Sequence, residues 1–448
     1  MAKKSTTRYI CNNCGETTLS YSGRCPYCQS WNTLEEQTVL AGTNVAQAHG
    51  ASLPTQLISE AVNKDAKRLT TGMPDIDTVF GGGIVEASVN LLAGQPGIGK
   101  STLLMQISSN LSSKYSVLYI SAEESAHQVG LRAGRLGSSK SKLQLATSNS
   151  TDDIVSTITN NDYDLVIVDS IQAISSASLS SGAGTVSQIT ASTQSLTAAA
   201  KSTNTALIIV GHVTKEGNIA GPKVLEHAVD VVLQLEGDRY GGFKILRAIK
   251  NRFGSTNEAG IFEMTENGLI EITNPSEALL AERQTSDGSV VLATMEGTRP
   301  ILVEVQALVN KTSYGYPKRA ASGFDLSRLN LLVAMLERRT KLSLADYDIY
   351  INIVGGIQIH EPAADLAVCM AIGSAAKGLK LQKDYVVFGE VGLSGEIRHV
   401  PYIAKRLEET KKLGFKGAIG PSSKDVKSGG KLDVVKDVRS ALNKFLEG

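Results

Sequence analysis

Gly94-Gln95-Pro96-Gly97-Ile98-Gly99-Lys100-Ser101-Thr102 continues directly from the apolar run SVNLLAG (88–94). The pattern is a buried strand that breaks into a glycine-rich turn and opens a helix over about Ser101–Ser109. The turn matches the phosphate-loop pattern GxxxxGK[ST], and a preceding strand with a following helix is the context that pattern requires. Gly94, Gly97 and Gly99 let the backbone turn so that N–H groups, those of Gln95 and Ile98 among them, converge on phosphate oxygens. Lys100 supplies charge for the β- and γ-phosphates, Ser101 a hydroxyl for Mg²⁺, and the positive end of the helix faces the anion. Thr102 either contacts the α-phosphate or caps a helical turn. The expected ATP-binding segment is therefore Gly94 to Thr102, Pro96 included, with Mg²⁺ as the accompanying ion.

Outward from this loop, SVLYISAEE (116–124), YDLVIVDS (163–170) and TALIIVGH (205–212) are short, apolar and partly β-branched. Amphipathic helical stretches alternate with them, the signature of parallel strands joined by crossover helices. The expected fold class is α/β, a P-loop core with a central, mostly parallel sheet. AVDVVLQLEG (228–237) and FKILRAIKNRFG (243–254) add strands, and GIFEMTENGLIEI (260–272) reads as a closing hairpin. Asp169 ends its apolar strand, placed to hold Mg²⁺ through water. Glu123 and Glu124 end the neighbouring strand, where alternation sends them to opposite faces. Glu123 is the expected residue that polarises the attacking water. His212 closes a third strand; it is a candidate γ-phosphate sensor, or else a histidine satisfied at a strand end. The stretches 175–187 and 214–224 are Gly-rich and polar and read as flexible loops.

Residues 1–34 form a separate head. Cys11, Cys14, Cys25 and Cys28 make two CxxC knuckles, and four thiolates suit tetrahedral Zn²⁺ with no position left for chemistry. A segment this small has almost no core without its metal. Trp31, the sole tryptophan, is expected to pack against the head. Residues 35–63 are polar and aperiodic, a linker. The core is expected over 64–274 and a third segment, of strands and helices, over 275–448. In that segment Cys369 lies mid-helix and reads as buried core. KTSYGYPKR (311–319) is a basic-aromatic cluster that could bind DNA or simply be a solvated loop.

Lys+Arg total 45 and Asp+Glu 44, which excludes a strongly basic coat protein and an acidic tail. No run approaches the ~18 apolar residues of a membrane span. The basic start lacks the apolar core of a signal peptide, so a cytoplasmic protein is expected.

The order CxxC…CxxC, GQPGIGKST (94–102), YISAEES (119–125), LVIVDSIQ (165–172), GHVTKEG (211–217) and KNRFG (250–254) resembles the bacterial RadA (Sms) family of DNA repair proteins. NIVGGIQIHEPAADLAV (352–368) extends the resemblance into the third segment. It implies a four-cysteine zinc finger, a RecA-like ATPase core, and a C-terminal α+β domain of the Lon protease (ribosomal S5-like) kind. It also implies a hexameric motor on single-stranded and branched DNA that promotes branch migration and D-loop extension. Such motors are DnaB-type helicase-like and work beside the recombinase RecA. In RecA-like motors the 175–187 and 214–224 positions carry DNA-binding loops. Lys250 and Arg252, two apart at a strand end, share a face, as two residues reaching a neighbour's ATP would require; contact with DNA is the other role open to them. A Lon protease carries a Ser just after the helix-start Pro, where this chain has Ala363, and its Lys falls near Ala404 and Lys405. An ATP-dependent protease is thereby disfavoured, and a nucleotide-gated signalling module leaves KNRFG and the head unexplained.

Overall fold

The computed structural model describes residues 6–11, 17–18, 20–39, 57, 67–212, 224–237, 243–313, 315–382, 384–423 and 431–447. Cys14, Tyr314 and the 214–223 part of the second loop lie outside the described residues. The chain divides into two compact units, Met1–Asp65 and Ala66–Gly448.

In the first unit, β1 (Thr6–Cys11) lies between β2 (Thr17–Thr18) and β3 (Leu34–Val39), both antiparallel to it. The buried cluster here is Cys11, Cys25 and Leu34, with Tyr9 and Cys28 against it. Two of its three buried residues are thiols, which is why a metal rather than hydrocarbon must organise the head.

The second unit is built on two sheets. The first has nine strands in the order β12-β11-β10-β9-β4-β8-β7-β5-β6. These are β4 (Val89–Gly94), β5 (Val117–Ser121), β6 (Gln144–Thr147), β7 (Leu165–Asp169), β8 (Ala206–His212), β9 (Val231–Gly237), β10 (Phe243–Asn251), β11 (Ala259–Thr265) and β12 (Gly268–Glu271). From β9 to β6 all pairings are parallel, and β10 to β12 extend the sheet antiparallel. Every residue of β4 is buried, as both faces of a parallel sheet are covered by helices. Alternation divides the core: Leu92, Leu165 and Ile167 join one hydrophobic layer, and Leu91, Val166 and Val168 join the other. The helix α1 (Lys100–Leu111) packs in the first layer and the helix α2 (Val186–Ser202) in the second.

The second sheet has seven strands in the order β15-β16-β14-β13-β17-β18-β19. These are β13 (Ser289–Glu296), β14 (Arg299–Lys311), β15 (Arg319–Ser322), β16 (Tyr347–Ile353), β17 (Tyr385–Val387), β18 (Gly417–Gly420) and β19 (Leu432–Val434). Against it packs an apolar helix, Asp365–Lys377, whose end is set by Gly378 at φ 62°. Cys369 is fully buried in it, as its apolar neighbours led one to expect.

The two sheets share one core. Ile245, Ala259 and Ile261 of the first sheet belong to the same buried cluster as Val290, Leu302 and Val333. Polar ties reinforce it: Arg247 joins Glu236 and Glu296, and Arg299 bonds Asp75 at 3.1 Å. The β13–β14 turn is pressed so close that a Cβ on Gly297 would stand 1.7 Å from the Asn257 carbonyl oxygen. Only glycine fits there.

Candidate active site

The C-terminal ends of β4, β8, β7 and β5 stand side by side, with His212 paired to Gly94 in register and Ser121 to Asp169. Four separate sequence features are thereby brought to one edge, the place where open α/β sheets bind ligands. The glycine-rich loop leaves β4 and becomes α1, with Gly99 as its N-cap. Gly97 has φ 79°, and nothing lies within 4 Å of where its Cβ would be, so the loop's crest is open to a phosphate. Gly99 has φ 117°, and a Cβ there would meet the Met264 methyl at 2.5 Å. Gln95 is half-buried, Pro96 exposed and Ile98 buried; Ser101 and Thr102 lie half-buried on the first turn of α1.

Lys100 is 5% exposed. Its Nζ donates to the carbonyls of Gly94 (2.8 Å) and Gln95 (3.0 Å) and lies 3.2 Å from His212 Nδ1. Burial lowers its pKa to about 8 despite the opposing pull of Asp169 and Glu123. His212 Nε2 stands 3.5 Å from Glu123 Oε1, and Ser170 Oγ donates to that same oxygen. Glu124 turns away and pairs with Arg132. Glu123 therefore faces the loop lysine through His212, and Glu124 does not. Asp169 accepts a 2.5 Å hydrogen bond from Tyr119 Oη. Tyr119 is 1% exposed, and burial together with the Asp169 charge raises its pKa well above normal.

Tyr119 and Ser170 were not singled out from sequence. Tyr119 lies two residues before Ser121, the strand partner of Asp169, and that cross-strand register was the only available signal.

Lys250 and Arg252 stand apart from this cluster and meet another one. The β9–β10 pairing slips between Val232 and Leu233, so Ile249 is an extra, bulged residue and is 49% exposed. Beyond the bulge, Lys250 Nζ donates to the carbonyls of Glu226 (2.6 Å) and Val229 (2.7 Å), around the end of a short helix (Val224–Ala228). Arg252 pairs with Asp230 at 2.9 Å and keeps a half-exposed side chain. Both cations thus hold the 226–230 segment.

The 175–187 stretch is held by side-chain hydrogen bonds along part of its length. The Gln188 amide donates to the carbonyls of Ser176, Leu179 and Ser181 and accepts from Ser176 N–H, while Asp152 accepts from Ala177 N–H. A buried amide four hydrogen bonds deep organises one side of the loop. Its glycines, Gly182 and Gly184, lie outside that ring of bonds.

In the head, the Sγ atoms of Cys11, Cys25 and Cys28 all lie within 4.8 Å of one another. Zinc at about 2.3 Å from each sulfur places tetrahedral ligands about 3.8 Å apart, so these three donors fit the ion. Trp31 lies against the head's surface, its ring beside Gly23 and the Arg24 guanidinium 5.6 Å from its centroid, and it keeps 70% of its area exposed.

A phosphate loop and an acid-tipped parallel strand on this sheet define a P-loop ATPase with a RecA-like core and an N-terminal Cys-based zinc-binding motif. An AAA domain model matches residues 57–218, a rubredoxin metal binding domain model residues 9–36, and a model of subunit ChlI of Mg-chelatase residues 332–424. The chain belongs to the RadA family of DNA repair proteins. It is 45% identical over 428 residues to DNA repair protein RadA of Aquifex aeolicus, covering 95% of this chain and 96% of that one. It is 46% identical to DNA repair protein RadA of Bacillus subtilis, covering 94% and 93%. Among solved structures, the RadB recombinase matches 46% of this chain and 99% of its own at 22% identity and a TM-score of 0.38.

Proposed function

We propose that this chain is a DNA-dependent ATPase of homologous recombination and repair. It works as a ring on single-stranded and branched DNA, extending D-loops by branch migration in the manner of DnaB-type helicases. One observation carries the reading: Lys100, His212, Glu123 and Asp169 converge at adjacent strand ends in a chain 45% identical, over nearly its whole length, to a DNA repair protein. Lys100 holds the β- and γ-phosphates, and Ser101 and Asp169 offer the hard oxygen donors that Mg²⁺ takes. Glu123 orients the attacking water, with Ser170 and His212 fixing its carboxylate. Lys250 and Arg252 serve a neighbour's ATP, and the ring is hexameric, with RecA as its partner recombinase.

The proposed organisation is a four-cysteine zinc finger over 1–34, a linker over 35–63, the ATPase over 64–274 and a Lon-like domain over 275–448. Ala363 supports an inactive Lon-like site, because it is 2% exposed in a short 3₁₀ turn and has no nucleophile to offer. Lys405 bonds the Thr298 carbonyl at 3.0 Å. Among the described residues no helix is long and apolar enough to cross a membrane.

ATP hydrolysis measured with and without single-stranded DNA, with casein cleavage alongside, tests this. DNA should stimulate turnover, Lys100→Ala should abolish it, and casein should stay intact. DNA-independent turnover with no branch migration would overturn the reading.

A further inference from the structure

The head presents aromatic rings to solvent that its folding does not require. Trp31 is 70% exposed, Tyr27 63% and Tyr21 57%. Among the described head residues these are the exposed large hydrophobic side chains, and none is aliphatic.

The geometry beneath them is built. Residues 23–32 form a small hairpin across the Cys25–Cys28 knuckle. Cys25 N–H donates to Ser30 O and Asn32 N–H to Gly23 O, both at 2.9 Å, and Arg24 bridges antiparallel to Trp31. Arg24 Nε donates to the Gln29 carbonyl at 2.8 Å, which fixes the guanidinium beside the indole. Tyr21 is propped edge-on against Tyr9, with ring centroids 5.6 Å apart. Tyr27 sits at the knuckle's tip, between Pro26 and the Cys28 ligand. The metal that orders the knuckle therefore also orders the rings.

Charge indicates what would lie on them. Residues 1–34 contain Lys3, Lys4, Arg8 and Arg24 against Glu16 alone. Four thiolates on Zn²⁺ would add two negative charges; of the described thiols Cys11 and Cys25 are buried and Cys28 partly buried. Exposed rings with the Arg24 guanidinium beside Trp31, on a head whose sequence is net basic, suit an unpaired base and its phosphate.

We propose that the Tyr21, Arg24, Tyr27 and Trp31 face of the zinc head is a stacking platform for the bases of single-stranded nucleic acid. Bases stack on the rings, and Arg24 adds cation–π attraction and a phosphate contact. Every base has a π-face, so the platform is indifferent to sequence. The proposal rests on the reading that this chain works on DNA, and it places one DNA contact on the head.

Trp31 is the sole tryptophan, so its emission reports this surface alone. The zinc-loaded full chain is titrated with oligothymidylate while tryptophan emission and the anisotropy of a labelled oligonucleotide are followed together. The expected result is quenching that tracks anisotropy and weakens with salt. Trp31→Ala and Tyr27→Ala should each bind about tenfold more weakly with zinc content unchanged, and Trp31→Phe should recover most of the loss. The platform is overturned if the oligonucleotide binds while emission stays constant and Trp31→Ala binds as tightly as the wild type. It is equally overturned if emission responds only to an added protein. If DNA neither binds nor stimulates ATP hydrolysis, the functional reading fails as well, and the two failures are told apart by that ATPase measurement.

Discussion

The Lys100 ammonium is buried among carbonyls, and its pKa of about 8 follows from that burial. A bound triphosphate stabilises the charged form and raises the pKa. Below pH 8 the lysine is protonated in both states, so affinity is flat. Above pH 8 the free site has lost its proton and binding must restore it. ATP affinity should then fall by up to about tenfold per pH unit, with proton uptake visible by calorimetry in buffers of different ionisation enthalpy. Tyr119 gives a second test. Its hydroxyl holds Asp169, the proposed Mg²⁺ residue, so Tyr119→Phe should raise the Mg²⁺ concentration for half-maximal hydrolysis about tenfold while Mg²⁺-free nucleotide binding is unchanged. Much of this site was legible in sequence because each motif is local: a loop that must cradle phosphate, and acids at strand ends. Tyr119 and Ser170 were not, because their roles depend on β5 lying beside β7, a pairing that 43 intervening residues separate in sequence. The exposure of Trp31 was not legible either: sequence puts the indole beside the head but does not say how much of it meets solvent.

The 243–254 element carries two jobs along one strand. Its bulge at Ile249 re-aims Lys250, and Lys250 then closes the end of the 224–228 helix through two carbonyls. Helix ends favour such cations. If Lys250 and Arg252 move to a neighbour's phosphates, the 224–230 segment loses both holds. Hydrogen exchange of that segment should therefore quicken when assembled protein binds a slowly hydrolysed ATP analogue, and should be fast with or without nucleotide in Lys250→Ala. Arg252→Ala should retain its assembly state by size-exclusion chromatography yet lose hydrolysis by about 10³-fold. Normal turnover in that variant would remove the neighbour-reaching role and leave DNA contact standing. The strand itself was readable from its apolar alternation; the bulge was not, since nothing in FKILRAIKN marks which residue is extra.

At the scale of the whole molecule, the second unit joins the sheets on either side of residue 274 through a shared buried cluster. The apolar periods correctly announced strands on either side of Asn274-Pro275, but they could not announce that Ile245 and Ile261 share a core with Leu302. Arg247 makes the join specific. Glu296 is buried, and burial pushes its pKa up while Arg247 pulls it down. Arg247→Met leaves that carboxylate unpaired and should destabilise the unit by about 3 kcal/mol in urea unfolding at neutral pH. A folded-state pKa raised above the unfolded value means the unpaired Glu296 costs most above the folded pKa, and the cost fades as pH falls from there to the unfolded value, so the deficit should shrink as pH falls. Arg247 and Lys250 lie three residues apart on one strand, a span of about 10 Å. Over that span β10 pairs with β9 throughout but with β11 only as far as Arg247, and the Ile249 bulge lies between the two cations. The residue that ties the two sheets and the residues that hold the 226–230 segment therefore share one strand, separated by a single bulge, so a shift of the C-terminal sheet against the first has its nearest outlet at Lys250 and Arg252.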